Sequence, residues 1–146
     1  MINQMKRTIK QSIALILSLT FILFLASCST DQEASNLWEN ATYQSDMQFG
    51  EGSKTVVVEV IAEEKTITFT IKTDRSIVGD ALTDHGLISG EEGAYGLYIK
   101  SVNGITADYD VDQAYWAFNI NGEYAMTGVD TTEIAEGTTY QLVYTK

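Results

Sequence analysis

The chain has 146 residues and a formal net charge of −11, from 20 acidic and 9 basic side chains. So acidic a chain repels phosphate backbones, which argues against a nucleic-acid partner. One histidine and one cysteine provide too few side chains for a zinc site, and the absence of proline suits freely paired strands.

The N-terminus has the features of an export signal. Three basic residues, at positions 6, 7 and 10, precede an apolar run over residues 13–26 that is short for a membrane span. The run ends in Leu25-Ala26-Ser27-Cys28, which resembles the bacterial lipobox. We therefore expect residues 1–27 to be a lipoprotein signal peptide, with an ordinary signal peptide or a membrane anchor as the alternative.

The lipobox resemblance implies that Cys28 receives a diacylglycerol and anchors the protein to the outer face of the bacterial cytoplasmic membrane. Residues 28–52 are polar and acidic without a sustained period, so we expect a flexible tether. Trp38 and Tyr43 are unusual in a tether. They either dock on the domain or act as sticky spacers, and the sequence favours spacers.

Residues 53–146 are predicted to form one small domain with a modest core. Residues 55–61 and 65–73 have the alternating pattern of strands, joined by a connection of hairpin length at residues 62–64. A short helix is expected over residues 76–87, with Ser76 as its N-cap and Gly86 as its stop.

The second half of the domain reads as further strands. We expect a strand over residues 95–102, a turn at Asn103-Gly104 and an irregular acidic stretch over residues 105–114. Trp116, Phe118 and Ile120 alternate with Tyr115, Ala117 and Asn119 in the next strand. Asn121-Gly122 predicts a hairpin turn, followed by a returning strand over residues 123–126 and a last strand over residues 138–145.

A hairpin, a short helix and then more strands predict a small α+β domain. Its expected arrangement is β-grasp-like, with mostly antiparallel strands and one short helix. A compact β-sandwich is the alternative if the segment after Ser76 is only a turn.

No catalytic set is evident in the sequence, so we do not expect an enzyme. The single histidine, His85, stands beside Asp84 near the expected helix end and is interpreted as a surface residue. Asp108, Asp110 and Asp112 have the spacing that opens a calcium loop. The glycine and glutamate that such a loop requires are replaced by Gln113 and Asn119, so a solvated acidic loop is favoured.

A series of short motifs resembles the C-terminal β-domain of transcobalamin and intrinsic factor, as found in bacterial surface lipoproteins. The motifs are Tyr95-Gly96, Tyr98-Ile99, Ser101-Val102, Gly104-Ile105, Tyr115-Trp116, Asn121-Gly122, Gly128-Val129 and Gly137. The chain lacks the helical half of the animal carriers, and has Gly137-Thr138 where family members often carry Gly-Asp.

The resemblance implies binding of cobalamin or a related corrinoid at the cell surface, with no permanent cofactor. One such domain alone, burying about 300 Å² of apolar ligand surface, gains about 7 kcal/mol of binding free energy. Association costs about 4–15 kcal/mol, so the implied partner is a transporter or a second subunit that covers the other face of the ligand. The alternative function is a non-enzymatic module that binds a protein or glycan through a sheet edge or an aromatic surface.

Five residues are candidates for ligand contact: Tyr95, Gly96, Tyr98, Tyr115 and Trp116. Alternation places Trp116 on the core face and the tyrosines on the more exposed side. There, a tyrosine ring could pack against the face of a corrin, and its hydroxyl could hydrogen-bond to the corrin's amides. The equally weighted alternative is that the tyrosines only brace the loop, and turn geometry explains Gly96 equally well.

Overall fold

The centre of the domain is a hairpin of two nine-residue strands, β2 (Lys54–Ala62) and β3 (Lys65–Thr73). The computed structural model describes residues 36–146. The predicted signal peptide over residues 1–27, Cys28 and the first part of the predicted tether, residues 28–35, lie outside the described residues.

The hairpin forms because its apolar residues alternate with threonine and charged residues. Val56, Val58 and Val60 are fully buried on β2, and Phe69 and Ile71 are fully buried on β3. The two strands pair in register from Lys54↔Thr73 to Ala62↔Lys65, as the alternation predicted.

The hairpin lies within a six-stranded sheet, whose other strands are β1 (Met47–Phe49), β7 (Tyr115–Ile120), β8 (Glu123–Tyr124) and β9 (Thr139–Thr145). The strand order in this sheet is β1-β3-β2-β9-β7-β8. The final strand β9 runs parallel to β2 and antiparallel to β7, and β1 runs parallel to β3.

A second sheet has three strands, β4 (Ile88–Gly93), β5 (Gly96–Val102) and β6 (Ile105–Thr106). Its β5–β6 turn is the predicted Asn103-Gly104, with φ of 51° and 81° as a two-residue hairpin requires. The sequence did not predict β4, because all its residues after Ile88 are exposed and no apolar alternation marks it.

The predicted helix is present but shorter, as α1 (Val78–Asp84). The N-cap is Ile77, without a side-chain cap bond, so the assignment of that role to Ser76 was wrong. Gly79 suits close packing, since a Cβ there would lie 3.0 Å from the Val129 carbonyl. Gly86, at φ of 64°, follows the helix end as expected.

A second short helix, α2 (Tyr109–Asp112), lies in the stretch that was expected to be irregular. It begins because the Asp108 carboxylate accepts a hydrogen bond from the Asp110 amide at 3.0 Å. The domain is therefore mostly β-sheet with two small helices, and the prediction of a small α+β domain is confirmed at that level.

Residues 36–52 belong to the domain, so the predicted tether boundary at residue 52 is wrong. A 3₁₀ turn (Leu37–Asn40) places Trp38 in the core with 4% of its surface exposed. Its indole Nε1 donates to the Ala62 carbonyl at 3.0 Å. Trp38 therefore docks on the domain and is not a spacer.

Tyr43 docks as well. Its ring lies 5.2 Å from that of Phe49 and 5.9 Å from that of Phe69, measured between centroids. The buried Asn103 side chain donates to the Tyr43 carbonyl and accepts from the Tyr43 amide, both at 2.9 Å. The sequence did not predict this docking, because Tyr43 lies in a polar stretch and its partners Phe69 and Asn103 are distant in the chain.

Within residues 36–146, no helix is both long enough and apolar enough to cross a membrane.

Candidate functional site

A cleft of about 280 Å³ lies beside β5 and β7 and under the segment that follows β8. We call it the β5–β7 cleft. Its lining residues carry no charged side chain: Leu97, Tyr98, Ile99, Tyr115, Trp116, Phe118, Tyr124, Ala125, Met126, Thr127, Gly128 and Val129. An uncharged, aromatic cleft suits an apolar organic ligand better than an ion.

Trp116 forms the inner wall of the cleft and is 6% exposed. Its indole Nε1 donates to the Ile105 carbonyl at 3.2 Å, and its ring meets that of Tyr144 edge-on at 5.4 Å. Tyr115 is half-buried next to it. Trp116 is therefore a buried packing residue, as its position on the core face predicted. It also lines the cleft.

The rim is apolar and open to solvent. Tyr98 is 42% exposed, Tyr124 67% and Met126 96%. Large side chains exposed together at one cleft are unusual for a soluble domain and mark an interaction site. Lys100 lies with its Nζ 5.1 Å from the Tyr98 ring centroid and 3.8 Å from the Asp108 carboxylate.

The segment after β8 is fixed by hydrogen bonds at both ends. The Ala125 amide donates to the Phe118 carbonyl at 2.9 Å. Beyond the cleft, the Asp130 carboxylate accepts from the Leu97 amide at 3.1 Å, which ties the segment to β5. The other oxygen of that carboxylate, Oδ1, is buried and has no hydrogen-bond partner among the described residues.

Gly96 provides space for this carboxylate. A Cβ at Gly96 would lie 2.5 Å from Asp130 Oδ2, and the φ of 106° also favours glycine. The contribution of Gly96 is thus to admit Asp130 beside β5, and it does not line the cleft.

Of the five residues predicted to contact a ligand, Tyr98, Tyr115 and Trp116 come together in the β5–β7 cleft. Tyr95 is fully exposed at the β4–β5 turn and lies outside the cleft lining. The sequence missed Tyr124 and Met126. No sequence pattern marks them, because Tyr124 ends the two-residue strand β8 and Met126 lies beyond it, where the chain has left the sheet.

A second, polar cleft of about 390 Å³ lies at the end of α1. Arg75 and Asp84 form a two-point ion pair there, with N–O distances of 2.7 and 2.9 Å. The hydrogen bond from Arg75 lowers the pKa of the Asp84 carboxyl. His85 stacks on Phe49 at 5.3 Å between centroids, as a packing residue at the helix end. Two further charged residues of this cleft bond to neutral partners, since Lys72 donates to the Thr55 hydroxyl at 2.6 Å and Asp74 accepts from Ser53 at 2.9 Å.

The described residues do not fit a metal site. Within residues 36–146, no three His, Cys, Asp or Glu side chains are close enough together to hold an ion. Asp108 caps α2, and Asp112 accepts hydrogen bonds from the Ala114 amide and the Tyr144 hydroxyl. Two of the three aspartates with calcium-like spacing, Asp108 and Asp112, thus have structural partners.

Comparison with known proteins relates this domain to one family. Residues 76–146 match the family described as domain of unknown function DUF4430. A crystal structure of a "putative metal binding protein" from Ruminococcus gnavus is 33% identical, with a TM-score of 0.61, and the match covers 64% of this chain and 98% of that one. The chain belongs to the same family as that protein and carries a DUF4430 domain. No curated protein matches the chain.

Haptocorrin in complex with Cbi has a similar fold to the DUF4430 chain. The TM-score is 0.51 at 20% identity, over 67% of this chain and 26% of haptocorrin. This chain thus spans about a quarter of haptocorrin's length. The resemblance to the transcobalamin family is confirmed only as a distant relationship in fold.

Proposed function

We propose that this protein is a β-grasp-like, non-enzymatic binding module that takes cobalamin or a related corrinoid in the β5–β7 cleft. Its place in the cell would be the outer face of the bacterial cytoplasmic membrane, held by a lipid on Cys28. Binding there would assist uptake by a transporter. The distant relationship in fold to haptocorrin supports the ligand class.

The observation that carries the proposal is the uncharged cleft with an exposed aromatic rim. Tyr98, Tyr124 and Met126 present ring and thioether surface to solvent around a wall formed by Trp116. The apolar ring face of a corrin macrocycle laid against this rim would remove that surface from water. The described residues 36–146 carry 18 acidic and 6 basic side chains, which favours a neutral or cationic ligand.

The size of the cleft predicts weak binding by the domain alone. Its volume of about 280 Å³ lies near the lower limit of sites that enclose a drug-sized ligand, about 300–1,000 Å³. A corrinoid would therefore remain open on one side. A transporter or a second subunit is proposed to cover that side and raise the affinity.

Calorimetry on the full-length chain in detergent tests the proposal, with cyanocobalamin and dicyanocobinamide as probes. We expect binding of at least one probe, weakened about tenfold by Tyr124→Ala or Met126→Ala, the loss that removal of about 1.4 kcal/mol of contact produces. Tyr109→Ala is the control, because Tyr109 is 57% exposed but does not line the cleft. No heat with either probe at millimolar concentration would refute corrinoid binding by the isolated protein.

A second candidate is a surface module that binds a protein or glycan. It is favoured by Tyr95, which is fully exposed at the β4–β5 turn outside the cleft, beside the exposed strand β4. A stable partner recovered from surface extracts, lost with Tyr95→Ala and unaffected by corrinoid, would support this function over the first.

The proposed anchor has its own test. Bacteria expressing the full-length chain and fed labelled palmitate should incorporate label into the wild-type protein and not into Cys28→Ala. Equal labelling of both proteins would contradict lipid attachment at Cys28.

A further inference from the structure

The hydrogen-bonding direction along β7 shows which of its residues face the cleft. In an antiparallel ladder, successive residues bond alternately toward the partner strand and away from it. The Asn121 amide donates to the Thr139 carbonyl at 2.8 Å, one residue beyond the pair Ile120↔Tyr140. The odd-numbered residues of β7, Tyr115, Ala117 and Asn119, therefore bond toward β9.

The even-numbered residues bond toward the opposite side. The Phe118 carbonyl confirms this direction, because it accepts the Ala125 amide from the chain following β8 at 2.9 Å. By the same alternation, the amide and carbonyl of Trp116 point to this side. This is the side on which Thr127, Gly128 and Val129 diverge from β7 and line the cleft.

No strand among residues 36–146 pairs with β7 beside Trp116. The neighbouring strand β8 pairs only with Asn119 and Ile120, and the last contact of this kind is made by Phe118. The main-chain donor and acceptor of Trp116 thus have no strand partner on this side and point toward the uncharged cleft that the residue lines. When a ligand displaces water from main-chain N–H and C=O groups, these groups need hydrogen-bond partners on the ligand, because leaving them buried and unpaired costs free energy.

We propose that the main-chain amide and carbonyl of Trp116 bind a carboxamide group of the ligand, as a strand would bind them. This inference rests on the proposed function and specifies how the cleft selects among apolar ligands. A carboxamide supplies both the acceptor that the N–H of Trp116 needs and the donor that its C=O needs. An ester supplies only the acceptor, and a carboxylate adds a charge that an acidic domain repels.

Apolar packing and the hydrogen bonds of Trp116 predict opposite preferences between a ligand with methyl esters and one with carboxamides. Methyl esters are more apolar than carboxamides, so a cleft that binds through packing alone prefers the ester-bearing ligand. A cleft that requires a donor for the Trp116 carbonyl prefers the amide. The loss of one such hydrogen bond lowers affinity by about tenfold.

The experiment compares dicyanocobinamide, whose periphery carries carboxamides, with dicyano heptamethyl cobyrinate, whose periphery carries methyl esters. Both are titrated calorimetrically into the full-length chain in the same detergent, with each probe's heat of partition into empty micelles subtracted. Amide hydrogen exchange is followed by NMR at Trp116, with Ala117 as internal control because its amide bonds toward β9. We expect the amide probe to bind about tenfold more tightly and to slow exchange at Trp116 but not at Ala117.

The two failures are distinguishable. Equal or tighter binding of the ester, or unchanged exchange at Trp116 in the saturated amide complex, overturns this inference and leaves corrinoid binding in place. Binding of neither probe overturns the proposed function, and this inference with it.

Discussion

The indole of Trp116, on the six-stranded sheet, donates a hydrogen bond to the carbonyl of Ile105, on the three-stranded sheet. One side chain thus connects the two sheets across a buried contact, at the wall of the β5–β7 cleft. The geometry of the cleft depends on this contact, because β5 and β7 lie in different sheets and do not pair with each other.

Trp116→Ala is therefore expected to lower the free energy of unfolding by about 3–5 kcal/mol, the range for truncating a large buried aromatic residue. Trp116→Phe keeps a ring but leaves the Ile105 carbonyl unpaired, and should cost about 1–3 kcal/mol. Urea unfolding followed by circular dichroism measures both losses. A wild-type midpoint for Trp116→Ala would show that the two sheets do not depend on this residue.

Trp38 makes a matching prediction for the N-terminal segment. Trp38→Ala should destabilise the domain by about 3–5 kcal/mol, because the indole is buried and donates to the Ala62 carbonyl. Glu39→Ala is the control, since the neighbouring side chain is exposed and its loss should change stability by less than about 0.5 kcal/mol. If the two variants unfold at the same urea concentration, residues 36–52 are a tether after all.

How much the sequence reveals depends on whether a residue's partners are local. The alternation in β2 and β3 predicted both strands almost to their ends, because each has one buried face. The docking of Trp38 was missed, since its polar neighbours resemble a linker and its partner is 24 residues away. Strand β4 was missed because exposed strands carry no apolar period.

The same distinction applies to the cleft. Tyr98, Tyr115 and Trp116 could be nominated from alternation and resemblance. Tyr124 and Met126 could not, because their exposure follows from where the chain leaves the sheet after β8. The contact of Gly96 with Asp130 joins residues 34 positions apart, so the sequence alone suggests only a turn glycine.

The crowding at Gly96 can be measured against a glycine with the same backbone constraint. Gly96→Ala combines a positive φ with overlap of the Asp130 carboxylate, whereas Gly137→Ala has a φ of 76° and nothing within 4 Å of the added Cβ. Both changes should destabilise by more than about 1 kcal/mol through backbone strain. We expect the larger loss at Gly96 in thermal unfolding, and partial recovery when Asp130→Ala is added. Equal losses without recovery would remove the proposed role of Gly96.

Tyr144 and Asp112 predict a pH dependence. Burial and the hydrogen bond to Asp112 raise the pKa of Tyr144 to about 12. Burial opposes ionisation of Asp112, but hydrogen bonds from the Ala114 amide and the Tyr144 hydroxyl outweigh it, and the pKa of that carboxyl lies below its usual value. The tyrosine's contribution to stability is therefore complete below its unfolded pKa of about 10 and lost as pH rises toward 12. The contribution of Asp112 to stability is present above about pH 4 and is lost as pH falls through the lowered pKa of its carboxyl.

The stability difference between wild type and Tyr144→Phe should accordingly be greatest near neutral pH and shrink above about pH 10. Chemical unfolding at a series of pH values measures it. Tyr109→Phe, at an exposed tyrosine, is expected to follow the wild-type profile throughout. A difference that grows between pH 10 and 12 has the wrong sign for this hydrogen bond.

Amide chemical shifts of the full-length chain, recorded with and without dicyanocobinamide, test directly whether the β5–β7 cleft binds a corrinoid. We expect saturable shifts at Tyr98, Trp116, Tyr124 and Met126, with Arg75 and His85 at the polar cleft unchanged. Shifts confined to the polar cleft, or none at millimolar ligand, would contradict the assignment of the β5–β7 cleft as a corrinoid site.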